Sequence, residues 1–266
     1  MAKPGVGGHM SDTVEIEASE GVTTITVSRP DRLNALNTAT LQALEGTLRE
    51  ARDEYESRVL VLTGAGEDAF VAGADIEYMS QLSVEEAQEY AELGHRVTDA
   101  IERFPAPVIA AINGYAFGGG CELALAADLR VASERAVIGQ TEVGLGIVPG
   151  WGGTQRLSRI VGDEQARRLV FFAERIDAQD AHAYGLVGEI VAHDELDDRV
   201  GTMTGELAEK PKFALRSAKE ALNQVHESHL TAGLRYERRL WSGLFGTDDQ
   251  REGTIAFVED REPDFE

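Results

Sequence analysis

Two glutamates stand inside glycine-rich segments that carry almost no other charge. Glu122 lies in INGYAFGGGCELALAADLRVAS, from Ile112 to Ser133, and Glu142 in GQTEVGLGIVPGWGGTQRL, from Gly139. In the first segment an apolar strand runs into Gly118, Gly119 and Gly120, and a helix opens near Gly119 with Glu122 in its first turn. Consecutive glycines let a ligand approach the backbone and leave amide N–H groups unpaired at a helix N-terminus. Such amides suit an oxygen that gains negative charge during a reaction. Close helix packing over small residues explains the glycines equally well. An isolated Glu ordinarily faces water in a loop, but the stretch around Glu142 is otherwise fit for burial.

Other reactive side chains carry less. Cys121 has no histidine in either motif, so a buried filler is the better reading than a thiol nucleophile. His226 and His229 lie three apart on an expected helix but have no carboxylate or cysteine partner nearby, which argues for a surface pair over a metal site. There is no GxGxxG after a strand and no GxxxxGK[ST], which weakens nucleotide and dinucleotide readings.

The elements that must position these residues are legible as strand and helix periods. Gly21 to Ser28 alternates, whereas VLVLTG from Val59 and PVIAAING from Pro107 are continuous apolar runs, as in strands buried on both faces. Leu41, Leu44, Leu48 and Ala51 form a helical stripe after a cap at Asn37. Ala87, Tyr90, Val97 and Ile101 form another, opened by a capping box from Ser83 to Glu86. The alternation predicts an α/β core over 11–195. From about Leu196 the pattern is helical alone, with KPKFALRSAKEALNQV behind Pro211 and then LTAGLRYERRLWSGLF. Residues 1–10, MAKPGVGGHM, read as a tail outside the fold.

Composition narrows the partners. The chain has 266 residues, room for one large domain or two small ones, and its apolar content of 42% excludes disorder and fibrous folds. With 47 acidic against 25 basic residues the net charge is −22, which disfavours nucleic acid and anionic membranes. Only Lys3, Lys210, Lys212 and Lys219 among the cations are lysines. We read this surface as salt-adapted, because screening at high ionic strength relieves its self-repulsion. One cysteine and no visible secretory signal predict a cytoplasmic protein. The uncharged stretch from Phe104 to Cys121 is long enough to consider as a membrane helix, but its prolines and glycines make it a poor one.

FVAGADIEYM, INGYAFGGGCELALAAD, IGQTEVGLGIVPGWGGTQRL and AQDAHAYGLV together resemble, in order and spacing, the enoyl-CoA hydratase/isomerase (crotonase) superfamily. The likeness runs from Val14 to the end. It implies an α/β spiral of repeated ββα units with a C-terminal helical region, 196–266, that builds trimers, often paired as hexamers. It implies that the amides of Ala74 and Gly119 form an oxyanion hole for a thioester carbonyl, and that Glu122 and Glu142 are the catalytic pair of a hydratase. Relatives that isomerise double bonds or cleave other acyl groups commonly lack one of the two. The substrate site implied takes in Arg32, Leu33, Ala72, Ala74, Asp75, Ile76, Glu77, Gly118, Gly119, Gly150, Trp151 and Phe257. No separate cofactor is implied, because coenzyme A arrives as part of the substrate.

Adding water to a 2-enoyl thioester needs a base for the water and an acid for the α-carbon. Two neighbouring carboxylates do not both ionise easily, so one is pushed toward its protonated form. The helix terminus favours charged Glu122, which makes Glu122 the base and Glu142 the acid. Asp75 orients the Ala74 loop or, less simply, serves as an acid. Trp151, bulkier than the small residue common there, either narrows the acyl pocket or packs. Relatives often carry lysine where Glu77 and Asp260 stand, so phosphate binding here would rest on Arg32, another cation, bound ions or salt screening. The alternatives are a Δ3,Δ2-enoyl-CoA isomerase, a structural subunit of an acyl-CoA complex, and an RNA-binding relative, which the charge opposes.

Overall fold

In the computed structural model, which describes residues 12–265, the chain winds as a spiral between two sheets. The expected tail at 1–10 lies outside the described residues. The hairpin β1 (Val14–Ser19) and β2 (Val22–Val27) leads into α1 (Thr38–Asp53), and successive turns of the spiral follow. The first comprises β3 (Val59–Gly64), β4 (Ala69–Val71), α2 (Ile76–Met79) and α3 (Val84–Glu102). The second comprises β5 (Val108–Ile112), β6 (Tyr115–Phe117) and α4 (Gly119–Ala126). The third comprises β7 (Leu129–Ser133), β8 (Val137–Gly139), α5 (Gly153–Val161) and α6 (Asp163–Phe171). Then come β9 (Arg175–Asp177), α7 (Ala178–Ala183) and β10 (Glu189–Val191), after which the described elements are helical: α8 (Leu196–Ala208), α9 (Lys212–Asn223), α10 (Leu230–Leu244) and α11 (Asp248–Glu259).

Each ββα turn lays one strand in each sheet. The six-stranded sheet has the order β1-β2-β3-β5-β7-β10, and the four-stranded sheet β4-β6-β8-β9. Pairing is parallel throughout except for β1 with β2 and β8 with β9. The continuous apolar strands have the reason that sequence predicts. Leu60, Leu62, Val108, Ala110 and Ile112 enter the main core, while Val59, Val61, Ile109 and Ala111 point the other way, against Leu196 and Val200 of α8. α8 therefore covers the outer face of the large sheet, although it falls inside the helical region expected from sequence.

The Asn37 cap and the Ser83–Glu86 capping box are both formed. Ala87, expected in the apolar stripe of α3, is exposed and lines a cavity instead. α9 is tied to the core by Lys219, whose ammonium is 2.6 Å from Asp128 and donates to the Ala106 and Ile101 carbonyls at 3.1 and 3.4 Å. His226 closes a short 3-10 turn and His229 caps α10, so the two do not share one helix as expected. Phe104 to Cys121 forms β5, β6 and the start of α4. No helix among the described residues is long and apolar enough to cross a membrane.

Candidate active site

The site gathers where the four-stranded sheet hands its strands to helices. A cavity of about 610 Å³ is lined by Ala72, Ala74 and Ile76 after β4, Gly118, Gly119 and Glu122 at the start of α4, and Glu142, Gly150 and Trp151 before α5. Met79, Leu82 and Tyr90 supply an apolar wall. Leu36 bridges the Ala74 strand in parallel, donating to the Gly73 carbonyl at 2.8 Å and accepting from Asp75 N–H at 2.7 Å. In a parallel bridge those bonds go to the flanking residues, so the Ala74 amide points away from Leu36. Gly119 is the first residue of α4, so its amide has no carbonyl partner within the helix.

Glu122 is 2% exposed. Its Oε1 accepts from Trp151 N–H and Gly153 N–H, both at 2.7 Å. The Gly153 amide opens α5 and the Trp151 amide lies two residues before it, so the carboxylate sits at the N-terminal end of α5, not at the terminus of α4 invoked from sequence. Burial raises the Glu122 carboxyl above the ordinary range, while the Gly153 and Trp151 amides and the Arg156 charge pull it back. Glu142 opens a short 3-10 helix and is 8% exposed. Burial first and the Glu122 charge second push its carboxyl up to about 7. Burial thus raises both carboxyls, and the two differ in what surrounds them: Glu122 has two fixed backbone donors, whereas Glu142 has the Glu122 charge beside it. The Gln140 amide, with its nitrogen turned toward Glu142, donates to both carboxylate oxygens at 2.9 and 3.1 Å. Sequence reasoning passed over Gln140, although it stands two residues before Glu142 in the charge-free segment.

Trp151 is wedged between two helices. A Cβ on Gly94 of α3 would lie 2.2 Å from the indole nitrogen, and one on Gly119 would lie 2.1 Å from a ring carbon. The indole also meets Tyr90 edge-on at 5.4 Å, and the Tyr90 hydroxyl donates to the Leu36 carbonyl at 2.7 Å. Asp75 caps α2, pairs with Arg29 at 3.2 Å and stays outside the cavity lining. The Leu33 carbonyl accepts from Ala72 N–H at 3.0 Å. Arg32 and Glu77 pair with each other at 3.1 Å on the exposed rim. Phe257 is not brought to the cavity. It sits on α11, 87% exposed, because α11 is laid on the outside of this chain. Cys121 is buried, and burial pushes its thiol well above the usual range, as a filler requires. No group of three or more His, Cys, Asp or Glu among the described residues is placed to hold a metal ion.

The same arrangement of chain is found in known proteins. The family model described as Enoyl-CoA hydratase/isomerase matches residues 17–266. The chain is 41% identical over 254 residues to the crotonyl-CoA hydratase of Syntrophomonas wolfei, covering 96% of this chain and 98% of that one. It is 40% identical over 250 residues to the short-chain-enoyl-CoA hydratase of Clostridium acetobutylicum, covering 94% and 96%. The crystal structure of an enoyl-CoA hydratase from Bacillus anthracis superposes with a TM-score of 0.92 at 38% identity, over 95% of this chain and 98% of that one. With a spiral core, a paired-carboxylate cavity and matches that span nearly its whole length, this chain belongs to the enoyl-CoA hydratase/isomerase family.

Proposed function

We propose that the protein is a short-chain enoyl-CoA hydratase, adding water reversibly to a trans-2-enoyl-CoA to give the 3-hydroxyacyl-CoA. The observation that carries this reading is one cavity faced by two buried carboxylates of unlike environment and by the backbone of Ala74 and Gly119. In the hydration direction Glu122 takes a proton from water as the oxygen bonds to the β-carbon. The electron pair of the double bond moves onto the thioester oxygen, and the Ala74 and Gly119 amides hold the resulting enolate. Glu142 gives its proton to the α-carbon and the thioester carbonyl re-forms. The proton taken by Glu122 then returns to Glu142, which resets the pair. The Trp151 wedge supports a short acyl chain.

Two further parts of this reading rest on the surface. The apolar side chains left exposed on the last helices, among them Leu222, Leu230, Trp241 and Phe257, support a homo-oligomer, a trimer or a pair of trimers. The single buried cysteine suits a reducing, cytoplasmic setting. Loss of the conjugated thioester absorbance of crotonyl-CoA tests the activity, and Glu122→Gln is expected to abolish it. Hydration retained in Glu122→Gln with only α-proton exchange lost would reverse the two carboxylates. Conversion of a 3-enoyl-CoA to the conjugated thioester without hydration would make the protein an isomerase.

A further inference from the structure

The Trp151 backbone is held on both sides. Its N–H donates to Glu122, while its carbonyl accepts from Thr98 Oγ1 at 3.1 Å and from Arg156 Nη1 at 3.0 Å. Arg156 is outside the cavity lining, and its side chain is only 16% exposed. The rest of its guanidinium is taken up by α3: Nε donates to Glu102 at 2.8 Å and Nη2 to Asp99 at 3.1 Å. Gly152, between Trp151 and Gly153, has φ +107°, and a Cβ there would stand 2.2 Å from Arg156 Nη1. The positive φ favours glycine at this position, and the guanidinium lies directly against the turn.

We propose that Arg156 is a positioning residue for Glu122: by anchoring the Trp151 carbonyl against α3 it fixes the two amides that grip the carboxylate. This rests on the reading of Glu122 as the water-activating base. A carboxylate buried to this degree keeps its charge only while its donors stay aligned. A shift of the Trp151 to Gly153 turn by a few tenths of an ångström would weaken both bonds together. The Arg156 charge adds to the effect, since it lowers the Glu122 carboxyl against burial. The groups facing Glu122 are Glu142 from the 3-10 helix, the thiol of Cys121 on its own helix and Arg156 from α5. Those facing Arg156 are Asp99 and Glu102 of α3.

The test is the pH profile of kcat/KM for crotonyl-CoA hydration in Arg156→Met, Arg156→Lys and Glu102→Gln, with Glu122→Gln run beside them. In Arg156→Met the acid limb is expected to move up by about half a unit and kcat to fall about tenfold, with KM changed less than about twofold. Arg156→Lys keeps a charged donor and is expected to bring the limb most of the way back. Glu102→Gln weakens the α3 anchor of the guanidinium and is expected to move the limb up, by less than in Arg156→Met; a downward shift, the response of charge alone, overturns the positioning role. An acid limb left in place in Arg156→Met, or equal in the Met and Lys variants, overturns the role of Arg156. If Arg156→Met does not fold, Glu102→Gln carries the test, and an unmoved limb there overturns the proposal. Full hydration by Glu122→Gln would instead overturn the reading of Glu122, and this inference with it.

Discussion

Replacing Glu142 by glutamine removes a charge that the fold holds at a cost, and the size of the effect follows from the site. Burial and the Glu122 charge raise the Glu142 carboxyl from its ordinary 4.5 to about 7. The native state therefore binds that proton more tightly than the unfolded chain does. The stabilisation this gives is full below about pH 4.5 and is lost as the pH rises through about 7. At 1.36 kcal/mol per unit, the wild type loses about 3 kcal/mol by pH 8, whereas Glu142→Gln has no such titration. Relative to the wild type, the variant should gain about 1 kcal/mol at pH 5 and about 3 kcal/mol at pH 8, while its hydration rate collapses. Urea unfolding of both proteins, at one protomer concentration and constant ionic strength, measures the gap. A gap independent of pH, or one that narrows as the pH rises, would refute the placement of a strained carboxyl in this cavity.

Trp151→Ala keeps the amide that holds Glu122 but empties the wedge. It should destabilise the fold by about 3–5 kcal/mol and, at about 0.8 kcal/mol per buried methylene, raise hexenoyl- over crotonyl-CoA about tenfold in kcat/KM; an unchanged chain-length profile would direct the acyl tail elsewhere. Screening of the Arg32–Glu77 rim should make KM for crotonyl-CoA fall as KCl rises from about 0.1 to about 1 M, and Glu77→Ala should flatten that response; a rising KM counts against it. Trp241→Glu places a charge on the exposed apolar face of α10 and should shift the sedimenting species to a single chain, whereas an unchanged sedimentation coefficient would remove that face from the assembly.

The centre of the large sheet was legible because Val59–Gly64 and Val108–Ile112 are buried on both faces and read as unbroken apolar runs, and β2 alternates; β1, β7 and β10 were not read. The small sheet was not legible. Its strands are three residues each, too short for any period, and only the spiral sets them side by side. Glu122 and Glu142 could be singled out from their glycine-rich, charge-poor surroundings. The source of the Glu122 donors could not, since they come from 29 and 31 residues further along the chain and not from the helix that carries Glu122. Arg156 was not singled out from sequence, because its partners Asp99 and Glu102 come from α3, more than fifty residues away. Phe257 illustrates the reverse, because resemblance gave it a role that the single chain does not place at the cavity.

The wedge of Trp151 between Gly94 and Gly119 has a historical consequence. With the indole in place, a methyl at position 94 would overlap it at 2.2 Å, so Gly94→Ala is closed to a lineage that carries Trp151. Loss of Trp151 removes the three atoms nearest to that methyl. The two positions are thus epistatic: tryptophan can arrive only after glycine, and glycine can leave only after tryptophan. The pair therefore sets the order in which the depth of this pocket can be gained or lost during divergence.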